Sequence, residues 1–200
     1  MGSISIASLT KRFETGDSSV TALDDITLTV EEKQIVTLVG ASGCGKSTLL
    51  NLIAGFETPT HGRVLVDGRP VKGPGPDRGV VFQQTALFPW LSVEDNIAFG
   101  LSLRANRGKG SREQVVERML QRTGLSAFRQ RKPAELSGGM RQRAAIASVL
   151  AINPSTLLMD EPFGALDSLT RSIMQDFLLE IWEEQRKTVV LVTQIGRAHV

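Results

Sequence analysis

Apolar and polar residues alternate over positions 4–7 and again over 26–30, the spacing of half-buried antiparallel strands. Gly16-Asp-Ser-Ser19 between them is turn chemistry. Residues 34–39 end in a short β-branched run, which predicts a buried strand, and a glycine-rich stretch follows at once. Positions 47–54 predict a helix with Gly55 as its C-terminal cap. Residues 63–66 followed by Asp67-Gly68 predict a hairpin. Gly73-Pro-Gly-Pro76 is a rigid turn, and 79–82 is another short apolar strand.

From Ser92 to about Asn153 the pattern turns helical, with a polar insert at 104–112. Positions 156–159 and 188–193 are again buried strands. Strands alternating with helices predict an α/β fold with a mainly parallel core sheet. The two early alternating strands predict an N-terminal antiparallel β subdomain, and the helical stretch predicts a helical subdomain over about 88–152. No internal repeat or low-complexity tract is present.

Composition adds little beyond exclusions. The 200 residues are 41% apolar and 22% charged, ordinary values for a globular protein large enough to hold its own core. A net charge of +2 with no long block of one sign carries no nucleic-acid signal, and a normal solvated surface explains it better than attraction to lipid. Cys44 is the single cysteine, so no intrachain disulfide forms and a reducing compartment fits. The first residues lack a basic stretch followed by an apolar run, so no signal peptide is expected. No segment approaches the ~18 apolar residues of a membrane span. Any membrane role would therefore run through partners.

Gly40-Ala-Ser-Gly-Cys-Gly-Lys-Ser47 matches the phosphate-loop pattern in full, after a strand and opening a helix. Its glycines let backbone N–H groups turn inward around a β-phosphate, and the helix N-terminus adds positive character. The expected nucleotide-binding residues are Gly40, Ala41, Ser42, Gly43, Cys44, Gly45, Lys46, Ser47 and Thr48. Lys46 should reach the β- and γ-phosphates of ATP, and the Ser47 hydroxyl should ligate Mg2+. The Cys44 thiol fills space in the loop. The loop occurs once, so a single nucleotide-binding domain over 1–193 is expected.

Leu157-Leu-Met-Asp-Glu161 places two carboxylates at the C-terminal end of a core strand, where ligands bind in open α/β sheets. Asp160 would hold Mg2+ through water, and Glu161 would serve as general base. A strand-end pair facing solvent is the plainer alternative.

Leu136-Ser-Gly-Gly-Met-Arg-Gln-Arg143 opens a helix whose residues Ile146, Val149 and Leu150 share helical spacing. Ser137 and the two glycines make a second anion-binding helix N-terminus, or simply an N-cap with a glycine turn. Here the chain resembles the ABC ATPases over nearly its whole length. Leu136, Ser137, Gly138, Gly139 and Met140 match the family's signature motif, with Met140 where glutamine is usual. Gln83, after Val80-Val-Phe82, matches the Q-loop glutamine that contacts Mg2+ and the lytic water, although Gln84 adjoins it. Ala165-Leu-Asp167 matches the D-loop. Phe13 sits where the family stacks an aromatic ring on adenine, and fits ordinary core equally well.

The resemblance implies a P-loop NTPase of ABC type. Two copies pair head to tail, with ATP between the phosphate loop of one and Ser137, Gly138 and Gly139 of the other. Binding closes the pair and hydrolysis opens it. The motion passes to transmembrane permease subunits through the groove near 83–91, at the cytoplasmic face of the inner membrane. Gly73-Pro-Gly-Pro-Asp-Arg-Gly79, Phe88-Pro-Trp90 and Asp95-Asn-Ile-Ala-Phe-Gly100 resemble the importers for taurine, aliphatic sulfonates and nitrate, and the stretch 171–182 leans toward taurine. In that group a periplasmic substrate-binding protein selects the solute.

After the strand at 188–193 the family has a histidine that contacts the γ-phosphate, and this chain has Gln194. A glutamine donates a hydrogen bond but cannot become a cation, which would slow the ATPase. A second origin is preferred. The common sequencing adapter AGATCGGAAGAGCACACGTC, preceded by C, translates as Gln-Ile-Gly-Arg-Ala-His-Val, the residues at 194–200. We expect 194–200 to be a non-native tail, the native reading to end at Thr193 plus one base, and the chain to be truncated there.

Two other classes compete with a transport ATPase. A soluble ABC ATPase acting on DNA or ribosomes usually carries two nucleotide domains or a long coiled-coil insertion, and neither is visible. A small-molecule P-loop kinase would have no role for Leu136-Ser-Gly-Gly139. A non-hydrolysing regulatory module fits if Gln194 is native.

Overall fold

The computed structural model describes residues 2–16, 18–103, 111–164 and 166–194, without the side chains of Thr15 and Gln194. All but the first residue of the expected tail at 194–200, and part of the polar insert, 104–110, lie outside the described residues.

The N-terminal strand β1 spans Ile4–Thr15 and pairs antiparallel with β2, Ser18–Val30. Both run further than their alternation suggested, and bulges are the reason. Ser8 and Asp25 have φ of 45° and 47°, and the register shifts between Ile6 and Leu9. The extra residue moves the buried set from Ile4 and Ile6 to Leu9, so the period-2 pattern breaks while the strand continues. Side chains satisfy the bulge amides: Ser8 N donates to Thr27 Oγ1 at 3.1 Å, and Asp25 N to Thr10 Oγ1 at 3.1 Å. Strands β4, His61–Val66, and β5, Arg69–Pro70, complete a four-stranded sheet in the order β2-β1-β4-β5. Asp67 and Gly68 join them at φ of 51° and 71°, the left-handed pair that a two-residue hairpin requires.

A second sheet has the order β3-β8-β7-β6, with β3 at Ile35–Gly40, β6 at Arg78–Val81, β7 at Thr156–Asp160 and β8 at Thr188–Gln194. β8 is parallel to both β3 and β7. Leu157, Leu158 and Met159 of β7 and Val189, Val190 and Val192 of β8 are wholly buried, the near-continuous apolar run of a strand covered on both faces. Helix α1, Lys46–Ala54, places Leu50, Leu52 and Ile53 in the same core as Ile4, Ile6, Val64, Leu158 and Val190. Each such side chain contributes about 1.5–3 kcal/mol on burial. Gly55 caps α1 in the left-handed conformation, its N–H donating to Asn51 O at 3.0 Å.

The described chain divides into two compact units, one drawn from Met1–Val80, Ser155–Glu161 and Glu180–Val200, the other from Val81–Pro154 and Pro162–Leu179. The second unit contains α2, Val93–Ser102, α3, Arg112–Arg122, and α4, Gly138–Ala151. α4 buries Ala144, Ala145 and Ala147, and these small side chains let α2 pack against it. A Cβ at Gly100 of α2 would fall 2.5 Å from Ile152 Cγ2, so glycine is needed at that crossing. A further helix, α5, spans Ser168–Gln185. No described helix is long and apolar enough to cross a membrane.

Candidate functional site

The loop between β3 and α1 is shaped by two left-handed glycines, Gly43 at φ 79° and Gly45 at φ 93°. Gly45 is the N-cap residue of α1, and no side chain caps that helix. Its first turn also holds no acidic residue. The amides and partial positive charge of the α1 N-terminus therefore suit an anion. Lys46 Nζ donates to Gly40 O at 2.9 Å and to Ala41 O at 2.7 Å, and lies 3.5 Å from Cys44 Sγ. Ala41, Ser42, Gly43, Cys44 and Ser47 are exposed, while Gly40, Gly45, Lys46 and Thr48 are half-buried.

Register brings the other strand ends to this loop. Gly40 pairs with Gln194, and Asp160 pairs with Val192 two residues earlier on the same strand. Three adjacent parallel strands thus finish together, Asp160 standing two strand spacings across and two residues along from Gly40, about 12 Å. Gln194 contributes its backbone to β8. Glu161 leaves β7 at φ 43°, and its N–H donates to Val192 O at 3.0 Å. A left-handed glutamate costs about 1–2 kcal/mol, and this one turns the chain sharply off the strand.

Among the described residues no group of three or more His, Cys, Asp or Glu could hold a metal. The first unit offers instead the Ser47 hydroxyl and the Asp160 carboxylate, hard oxygen donors. That set fits Mg2+, which takes one or two protein oxygens and draws the rest from phosphate and water. Phe13 is 36% exposed, so it is not core, and the Lys11 ammonium lies 4.7 Å from its ring centroid. Lys11 is itself held by Glu57 at 2.8 Å and Thr58 O at 2.9 Å. The sequence reading missed Lys11. Its place two residues from Phe13, on the same face of β1, was the available signal.

The remaining predicted residues lie in the second unit. Gln83 and Gln84 are exposed, just after β6. Ser137 caps α4, accepting from Met140 N at 3.3 Å, so the N-cap reading of the second glycine motif holds. Leu136 is buried and its carbonyl accepts from Arg141 at 2.6 Å. Gly138 is exposed, and Gly139 and Met140 are half-buried. Asp167 accepts from Thr170 N at 2.9 Å. That backbone bond first, and the Thr170 hydroxyl second, hold its carboxyl below the usual aspartate range. Ala165 lies outside the described residues.

A glycine loop joining a parallel strand to an uncapped helix, beside an acidic strand end, defines a P-loop nucleotide hydrolase. A family model described as ABC transporter matches residues 23–164. The taurine import ATP-binding protein TauB of Burkholderia thailandensis is 54% identical over 175 residues, 88% of this chain and 67% of that protein. The nitrate import ATP-binding protein NrtD of Synechococcus elongatus is 47% identical over 184 residues, 92% and 67%. A solved dimeric post-hydrolysis state of the ATP-binding cassette MJ0796, bound to ADP and Pi, superposes with a TM-score of 0.86 at 35% identity, covering 95% of this chain and 87% of that one. The chain belongs to the ABC transporter family, as an ATP-hydrolysing ATP-binding cassette.

Proposed function

We propose that this cassette energises an importer of taurine or a related sulfonate. In this reading it works with Mg2+ as a head-to-tail pair on the cytoplasmic face of the inner membrane. Transmembrane permease subunits and a periplasmic substrate-binding protein complete the complex. The observation that carries the solute is the 54% identity to a taurine import protein over 88% of the chain. The 47% identity to a nitrate import protein supports a second reading, nitrate or another small anion.

Lys46 and the amides of 43–47 neutralise the β- and γ-phosphates of ATP. Phe13 stacks on the adenine. Ser47 and Asp160 would hold Mg2+, which would draw charge from the phosphate oxygens. Glu161 accepts a proton as the water oxygen bonds to the γ-phosphorus and the bond to the bridging oxygen breaks, giving ADP and phosphate. Ser137, Gly138 and Gly139 of one copy close on the nucleotide held by the other, and Asp167 lies at the same junction. Gln194 stands at the position of the family's switch histidine.

Two experiments test the reading. Ser137→Arg should abolish hydrolysis and spare ATP binding, whereas retained hydrolysis overturns the paired site. Deleting the gene should stop uptake of labelled taurine, and uptake that persists while nitrate uptake falls selects the second reading.

A further inference from the structure

The signature turn and the segment after Phe163 are each pinned from within. Arg141 donates to Leu136 O at 2.6 Å, and Arg171 donates to Leu166 O at 3.0 Å. Between the two lies an apolar contact. A Cβ at Gly139 would sit 3.1 Å from Thr170 Cγ2 and 3.6 Å from Leu166 Cδ2. The first distance is closer than ordinary van der Waals contact, so the Thr170 methyl borders the space that a side chain at Gly139 would fill.

Thr170 is held in that orientation. Its N–H and hydroxyl both bond Asp167. A β-branched side chain whose oxygen is fixed has its methyl fixed as well. The hydroxyl therefore faces Asp167 while the methyl faces Gly139.

We infer that Thr170 is a positioning residue for hydrolysis, a strut that sets the signature turn Ser137, Gly138 and Gly139 against the segment holding Asp167. The inference rests on the proposed head-to-tail pair, in which both segments meet nucleotide at one junction. Gly139 then has two roles, one toward the partner's phosphate and one toward Thr170 of its own chain. Thr170 appears in no motif because its contribution is a methyl placed by a hydrogen bond.

The test measures kcat for ATP hydrolysis, affinity for a fluorescent ATP analogue, and melting temperature in the purified protein. Thr170→Ser keeps the hydroxyl and removes the methyl, and Thr170→Val does the reverse. Each should lower kcat about tenfold with unchanged analogue affinity, since a displacement of about 1 Å costs up to a hundredfold. Gly139→Ala should lose activity by crowding the methyl. A native kcat with only a lowered melting temperature in Thr170→Ser overturns the strut. Ser137→Arg separates the two levels: if it retains hydrolysis, the paired site itself is wrong, whereas its loss beside normal Thr170 variants removes only the strut.

Discussion

The Lys46 ammonium donates to the Ala41 carbonyl oxygen at 2.7 Å, inside the loop that its own residue closes. Together with the bond to Gly40 O at 2.9 Å, this holds the cation where phosphate charge is to be neutralised. Lys46→Ala should weaken ATP binding by about 1.5–3 kcal/mol, roughly ten- to hundredfold in Kd. Lys46→Arg should not restore it, because a planar fork cannot place its donors on two carbonyls that a rotating ammonium reaches. Equilibrium binding measures both, and native affinity in Lys46→Ala would remove the lysine from the site.

The two left-handed glycines of the loop should differ in tolerance. A Cβ at Gly45 would lie 2.4 Å from Ala22 O, whereas one at Gly43 meets nothing within 4 Å. Gly43→Ala bears only the conformational cost, about 1–2 kcal/mol. Gly45→Ala adds a collision with backbone that cannot move aside. Denaturant melts should show Gly45→Ala as clearly the less stable variant, and equal losses would contradict the close approach to Ala22.

How far the sequence foretold the molecule depends on how local each feature is. The phosphate loop, the Gly55 cap and the Asp67-Gly68 hairpin each sit within about eight consecutive residues, and all three form as expected. β1 was read only to Ala7 because the bulge at Ser8 shifts the alternation by one. α5 went unread, since Leu169 and Ile173 are 71% and 55% exposed and blur the contrast between its faces. The insertion of β8 between β3 and β7 is a non-local pairing that no short pattern encodes, yet it sets Asp160 at the same end of the sheet as Gly40. Thr170 escaped for the same reason, as its partner Gly139 is distant in sequence.

Cys44 offers a chemical probe of the loop. It is exposed, and a Cβ at Gly40 would lie 2.8 Å from its sulfur, so the thiol packs against the loop backbone. An N-ethylmaleimide adduct there should block nucleotide binding, and saturating ATP should slow the modification. Cys44→Ser should bind ATP normally and resist the reagent. Binding that survives complete alkylation would place the phosphates elsewhere.

Glu161 combines a strained backbone with the proposed proton acceptor. Its φ of 43° follows directly on Asp160, and its N–H is tied to Val192 O at 3.0 Å. The strain is retained because the turn re-aims the side chain at the end of β7, and a glycine would adopt it at no cost. Glu161→Gly should therefore gain about 1 kcal/mol of stability while losing hydrolysis. Glu161→Gln keeps the shape but cannot accept a proton, so turnover should fall by about 10²–10⁴-fold with ATP still bound. Size-exclusion chromatography with ATP should then recover a stable dimer. Opposite movements of stability and turnover in Glu161→Gly are the signature of strain kept for function. If Glu161→Gly instead loses stability, the side chain is structural, and unchanged turnover in Glu161→Gln would remove Glu161 as the base.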